Sequence, residues 1–138
     1  MAKQVLTNVN VTFGTANTDI SSFVSSITLS TTAAEVVTSA MGSSAVTRIQ
    51  GMIDSSVTME LMQDYPTIEK LFFDAFTAGT AVPMTVKPNG TAAASSANPS
   101  YTFSVLVTEW TPVNGAVGEL ATADVTFPIS GAITKAVA

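Results

Sequence analysis

The chain has 138 residues, of which 46% are hydrophobic and only 11% are charged, and its formal net charge is −5. It contains no cysteine and no histidine, which excludes disulfides, thiolate chemistry, the commonest general base and the commonest metal ligand. An acidic chain with five basic residues is also poorly suited to gripping nucleic acid phosphates.

So low a charged fraction, compared with about 25% in an average domain, leaves two interpretations open. A surface that carries little charge promotes association, so a large oligomeric interface would explain the composition. A secreted Ser/Thr-rich β-domain would explain it equally well. The N-terminal Met-Ala-Lys-Gln lacks the apolar segment of a signal peptide, and no apolar run is long enough to span a membrane. We therefore expect synthesis in a cytosol.

The first third of the chain is predicted to form strands and one long loop. Alternating apolar and polar residues predict a first strand over 4–13 and another over 26–30. Few regular apolar positions occur in 34–51, which predicts a long loop that contains Arg48. Long loops in compact domains are usually functional or disordered.

The central stretch, 52–88, is predicted to form strand, helix and strand. Its first strand has apolar residues at alternate positions, namely Val57, Met59 and Leu61. Pro66 suits the first turn of a helix and Gly79 suits the position after its end. The helix between them, at about 66–78, should pack on the sheet through one apolar stripe. That stripe consists of Ile68, Leu71, Phe72, Ala75 and Phe76.

The last third is predicted to contain a loop, a hairpin and a short final strand or tail. The loop covers 88–100, which has a proline near each end and no charged residue. Alternation returns over 101–107 and 121–127, and Asn114-Gly115 between them is a strong turn signal. We therefore predict a hairpin between Tyr101 and Phe127.

No catalytic, metal or cofactor site is expected. The nearest group of carboxylates, Glu60, Asp64 and Glu69, has the spacing of ordinary solvated faces and of a helix start. A serine nucleophile without histidine would need a lysine base, but neither S-x-x-K nor G-x-S-x-G occurs. We therefore predict that the protein is not an enzyme.

Several segments occur in order along nearly the whole chain: DISSFVSSITLS at 19–30, EVVT at 35–38 with Gly42, RIQG at 48–51, DSSVTME at 54–60, NPSY at 98–101, VLVTE at 105–109 and VNGAVG at 113–118. Together they resemble the major tail (tail tube) proteins of long-tailed, non-contractile bacteriophages. The resemblance implies a mainly β fold, a β-sandwich or barrel of antiparallel strands with one flanking α-helix. It also implies one tail-tube domain over 1–138, whereas many relatives are longer and carry an extra domain.

The function that this resemblance implies is that of a structural virion protein. Copies of it would form stacked, hexameric rings, which make the hollow tail tube through which genomic DNA passes during ejection. The expected partners are other copies of the chain and the tape measure, tail terminator and distal tail proteins, with DNA as non-specific cargo in transit. We expect no membrane insertion and no cofactor, and we expect the protein in the virion tail after synthesis in the host bacterial cytoplasm.

Two sets of residues follow from this hypothesis. An acidic lumen would repel DNA and let it slide, and the candidates for it are Asp54, Glu60, Glu109, Glu119 and Asp124. The alternative is that these acids face outward for solubility. The candidates for contacts between rings are Glu35, Met41, Arg48, Asn89 and Asn98, with Arg48 paired to an acid of the next ring.

Two other functions remain open at this point. A capsid decoration or head–tail joining protein would also be a small β-domain, but would bind singly or as one ring. A monomeric adhesion or carbohydrate-binding domain would need a secretion route.

Overall fold

Two antiparallel sheets pack face to face in the computed structural model, which describes residues 5–14 and 17–137. The first sheet has the strand order β2-β1-β5-β6-β8 and the second has the order β3-β4-β7. The strands are β1 (Asn10–Phe13), β2 (Thr18–Asp19), β3 (Val24–Val37), β4 (Arg48–Met62), β5 (Val82–Lys87), β6 (Ser100–Val105), β7 (Thr122–Pro128) and β8 (Thr134–Ala136). The predicted first strand began at Gln4, which lies outside the described residues.

The predicted mainly β fold with one α-helix is confirmed as a sandwich, and the described strands do not close into a barrel. Alternation places one side of each strand in a shared core. In the three-stranded sheet, Val57 lies opposite Phe127 and Met59 lies opposite Val125, and all four side chains are buried. The first sheet contributes Val11, Phe13, Met84, Val86, Phe103 and Val105 to the same core.

The helix forms where the local signals place it. Pro66 lies in a single wide turn, Tyr65–Glu69, in which the carbonyl oxygen of Asp64 accepts hydrogen bonds from three successive backbone amides. The α-helix α1 (Lys70–Ala78) follows and ends at Gly79, whose φ of 68° is the left-handed cap conformation. The predicted helix at about 66–78 is therefore confirmed.

The helix joins the two sheets at one end of the sandwich. The Phe72 ring lies 4.8 Å from the ring of Phe13, in the first sheet, and 5.6 Å from that of Phe127, in the second. Ile68 is buried as well. Of the other residues predicted to pack, Leu71 is partly buried against the core.

Phe76, the last residue of the predicted packing stripe, lies outside the core. It is 40% exposed, and its ring lies 6.3 Å from that of Trp110 in the connection between β6 and β7. Phe76 is about two helical turns after Ile68, the first residue of the stripe, and at that point the stripe no longer faces the sheets. Phe76 therefore lies beside the connecting segment.

The predicted long loop over 34–51 is wrong for most of its length. β3 continues to Val37 and β4 already begins at Arg48, so only 38–47 lies outside the strands. The two strands stay paired as far as Val37 opposite Arg48, with one bulge next to Ala33. Alternation fails to predict this region because almost every residue in it is exposed on both sides, so no buried face imposes a pattern.

The predicted hairpin between Tyr101 and Phe127 is also wrong. β6 pairs with β5 and β8 in the first sheet, whereas β7 pairs with β4 in the second. The segment 106–121 crosses between the sheets. Alternation of apolar and polar residues shows that one side of a strand is buried. Because strands of both sheets bury one side in the same core, alternation does not show which sheet a strand joins.

Candidate assembly surfaces

The outer side of the three-stranded sheet is a polar, acidic surface, which we call the acidic face. Because Val57, Met59 and Leu61 are buried, the residues between them and their partners on β3 and β7 point away from the core. Those residues are Ser26, Thr28, Ser30, Ser56, Thr58, Glu60, Met62, Thr122, Asp124 and Thr126. Hydroxyl groups and carboxylates therefore dominate this side of the sheet.

Two carboxylates lie directly opposite each other on the acidic face. Glu60 on β4 is the register partner of Asp124 on β7, and like charges in this arrangement destabilise a sheet. The Ser25 hydroxyl donates a hydrogen bond of 2.9 Å to the Glu60 carboxylate. The basic residues of the described chain lie elsewhere: Arg48 at the far end of the β3–β4 hairpin, Lys70 on α1, and Lys87 and Lys135 in the first sheet.

The other candidates for an acidic lumen lie at three different places. Asp54 extends the acidic face at one end, where it lies opposite Thr32. Glu109 lies at the edge of β7, where its carboxylate accepts a hydrogen bond of 2.6 Å from the Thr126 amide. Glu119 lies in an exposed turn in the connection 106–121. The structure thus brings Asp54, Glu60 and Asp124 to one face.

The β3–β4 hairpin projects beyond the sandwich as a two-stranded extension, residues 32–54, which we call the arm. β7 pairs with β4 only from Ser56 onward, so the arm has no third strand, and every residue in it except Gly51 is exposed. Its exposed large apolar side chains are Val36, Val37, Met41, Val46, Ile49, Met52 and Ile53. Val36 lies opposite Ile49, so at least these two form one exposed apolar patch, and such patches can mark interaction sites.

The five candidates for contacts between rings fall into two groups. Glu35, Met41 and Arg48 are all on the arm, where the Arg48 guanidinium donates a hydrogen bond of 2.8 Å to Glu35 of the same arm. Within the subunit, the partner of Arg48 is therefore an acid of its own chain. Met41 lies at the tip and its side chain is fully exposed.

The other two, Asn89 and Asn98, organise the loop between β5 and β6. Asn98 is buried, its amide oxygen accepts a hydrogen bond from the Asn89 backbone N–H, and its amide nitrogen donates to the Asn89 carbonyl, both at 2.9 Å. The amide of Asn98 is thus used within the loop, and a contact of Asn89 or Asn98 with another ring stays a prediction.

An apolar groove of about 460 Å³ opens between the two sheets, and sequence reasoning missed it. Ile27 and Leu29 of β3 form one wall, and Val86, Tyr101 and Ile133 form the other. These side chains come from distant parts of the chain. Each looks like an ordinary core position in its own segment, so no local signal could have identified the groove.

Within 5–14 and 17–137, no three acidic side chains cluster closely enough to hold a metal ion. Hydrogen bonds from the Ser21 hydroxyl and backbone amide hold the pKa of Asp19 below its ordinary value of 3.8, which is a structural role in the turn before β3. In the same part of the chain, no helix is long and apolar enough to cross a membrane.

Comparisons with known proteins give a shared fold. No family model and no curated protein matches the sequence. One similar solved structure is a chain from the virion of a native gene transfer agent particle, with a TM-score of 0.76 and 12% identity over 96% of this chain and 98% of that one.

A second similar structure comes from the six-fold symmetrised baseplate of the anti-feeding prophage, with a TM-score of 0.57 and 10% identity over 98% of this chain and 97% of that one. Both similarities run almost from end to end, so neither chain has a large domain that this protein lacks. The protein therefore has the fold of a chain in a gene transfer agent virion and of a chain in the anti-feeding prophage baseplate.

Proposed function

We propose that this protein is a structural subunit of a phage-type tail, whose copies form stacked rings that enclose a hollow tube for DNA. The observation that carries the proposal is the acidic face, a sheet surface of hydroxyls and carboxylates on which the described chain places no lysine or arginine. The fold shared with chains of a gene transfer agent virion and of the anti-feeding prophage baseplate supports it.

The acidic face suits the wall of a channel for DNA. Carboxylates repel phosphates, and hydroxyls keep the wall hydrated without supplying the cations that would bind the backbone. Six copies, the symmetry of the similar baseplate, would together carry a formal charge of roughly −30 at pH 7, six times the −5 of one chain. Under this proposal, DNA passes along the wall without adhering to it.

Free strand edges give the copies a way to close a ring. β3 and β7 are the two edges of the three-stranded sheet, and unpaired edges pair readily with another chain. At the β7 edge, Glu109 accepts from the Thr126 amide and the Leu106 amide donates to the Pro128 carbonyl oxygen. Part of that edge is therefore already capped, so a neighbouring β3 would pair with the remaining part.

The arm gives successive rings a way to hold each other. A two-stranded hairpin alone is marginally stable in water, and this one also exposes a series of large apolar side chains. Docking on a neighbour would cover them. We therefore assign the arm, including Met41, to contacts between rings.

The test is the state of the purified protein as its concentration rises, followed by sedimentation and electron microscopy. The proposal predicts hollow tubes with a regular axial repeat above a critical concentration. Single rings that never stack would favour a head–tail joining protein, and scattered single copies on capsids would favour a decoration protein. A monomer at every concentration, absent from virion filaments, would contradict the proposal.

A further inference from the structure

We propose that the apolar groove between the sheets receives the arm tip of a second copy of this chain, with Met41 of one copy against Leu29 and Ile133 of the next. This inference rests on the proposed stacking of copies and names the receiving surface for the arm. The two surfaces belong to the same chain, and each lacks a cover within the described residues.

The groove is built to take an apolar side chain. Ile27, Leu29, Tyr101 and Ile133 are only partly buried, although they pack against the core. Its volume of about 460 Å³ lies in the range of small-molecule pockets. Filling it would remove these four side chains from water, which is the main favourable term in association.

The arm tip is suited to enter such a groove. Residues 38–47, which join the two strands, contain no charged residue, so docking them buries no charge. Met41 and Val46 are the large apolar side chains of this segment, and both are exposed. Methionine is flexible and polarizable and adapts to irregular apolar sites.

Charged groups at the two surfaces do not oppose docking. Among the described residues that line the groove, Lys135 is the one with a charge. Beside the tip, Arg48 and Glu35 form an ion pair of 2.8 Å. A docked tip would therefore bring a neutral pair, and not an unpaired cation, toward Lys135 of the next copy.

An arm tip that fills the groove must belong to another copy, because the arm of the same chain cannot fold back to its own groove. Thr31 lines the groove at the base of the arm, and the paired strands beyond it carry the tip roughly 20 Å away, at about 3.3 Å per residue. Register pairs as far as Val37 and Arg48 hold the arm extended. A contact between two different surfaces of one chain is head-to-tail and repeats from copy to copy, as stacking requires.

Cross-linking tests the contact directly, because the natural chain has no cysteine. Met41→Cys and Ile133→Cys are made as separate variants, one carrying a mass tag, and are mixed, assembled and oxidised. We expect a mixed disulfide dimer, which requires the two sulfur atoms to come within bonding geometry. In the control mixture, Ile133→Cys is replaced by Val117→Cys, a fully exposed position in the connection 106–121, and we expect little mixed dimer.

A charge introduced at the arm tip tests how strongly the contact stabilises assembly. Met41→Asp and Val117→Asp place the same charge at two fully exposed apolar positions, so neither should disturb the fold, which the melting temperature of the monomer checks. An aspartate in the groove would lose the apolar burial that a methionine gains and would place an unpaired charge among apolar side chains; a tenfold change in an equilibrium constant corresponds to about 1.4 kcal/mol. We expect Met41→Asp to raise the critical concentration for assembly about tenfold or more and Val117→Asp to leave it unchanged.

The outcomes separate this inference from the proposed function. Tubes that form without a Met41–Ile133 cross-link, or equal effects of the two aspartates, overturn the groove contact and leave the tube intact. A cross-link in assemblies that are not tubes supports the contact and contradicts the tube. A small apolar molecule retained in the groove by native mass spectrometry, with no cross-link, also overturns the inference.

Discussion

Glu60 and Asp124 lie opposite each other on neighbouring strands, an arrangement that costs the isolated subunit stability. A lysine at either position would remove the repulsion and add an attractive pair. The chain instead keeps both carboxylates on a surface whose other side chains, apart from Asp54 and Met62, are serine and threonine hydroxyls. Solubility does not explain this arrangement, because two carboxylates placed apart on the surface would keep the protein equally soluble. A function that needs a negative surface explains better why the chain keeps an arrangement that lowers its stability.

Relieving this repulsion should stabilise the monomer. We expect Asp124→Asn to raise the free energy of unfolding by a few tenths of a kcal/mol, up to about 1 kcal/mol, measured by denaturant titration below the critical concentration. High salt screens exposed charges, so the gain should shrink as salt is added.

The matched control is Asp74→Asn, which removes an exposed acid that pairs with Lys70 at 3.0 Å on α1. Here we expect a small loss of stability, about 0.3–0.5 kcal/mol. A loss of stability in Asp124→Asn, or a gain that salt does not change, would show that Glu60 and Asp124 do not repel each other in the folded subunit.

At the scale of elements, Phe72 is the aromatic residue of α1 that lies against both sheets at one end of the sandwich. The Phe72 ring packs between Phe13 of the first sheet and Phe127 of the second, whereas the Phe76 ring lies outside the core, 6.3 Å from that of Trp110. The two phenylalanines are one turn apart on the same helix, so they make a matched pair for substitution.

Phe72→Ala should cost about 3–5 kcal/mol of stability because it leaves a cavity between the sheets. Phe76→Ala, at a site that is 40% exposed, should cost about 1 kcal/mol or less. Chemical denaturation of both variants measures the difference. Equal losses would mean that the helix does not bridge the sheets through Phe72.

The elements also show which parts of the fold are readable from the sequence. The helix was predictable because its signals are local: Pro66 at its start, Gly79 after its end and an apolar stripe between them. The arm was not, because strands exposed on both sides leave no periodic pattern. The placement of β6 and β7 in different sheets was also unpredictable. Both sheets face one core, so their strands show the same alternation of apolar and polar residues.

The same distinction applies to the candidate surfaces. Alternation could place Glu60 and Asp124 on the outer side of their own strands, because the neighbours of each are apolar. It could not place them on one shared face, because it does not report that β7 pairs with β4. Glu109 could not be placed from alternation, because its position depends on a hydrogen bond to the distant Thr126 amide. Asn98 was assigned to a surface from its loop, but a buried amide that bonds to Asn89 is a tertiary feature without a local signal.

At the scale of the whole molecule, the subunit exposes three features that other copies of the chain would cover. The three-stranded sheet has two edges, the arm exposes apolar side chains away from the core, and a groove stays open between the sheets. Edges would join copies around a ring, and the arm and groove would join copies along an axis. Together these contacts would turn the acidic face of each copy toward one shared channel.

The most direct test of this account is a reconstruction of the assembled tube by electron cryo-microscopy, at a resolution that places β-strands. We predict that β3, β4 and β7 of every copy surround the channel, with the side chains of Glu60 and Asp124 pointing into it. A tube wall lined by the five-stranded sheet or by α1, with Glu60 and Asp124 on the outside, would contradict the account.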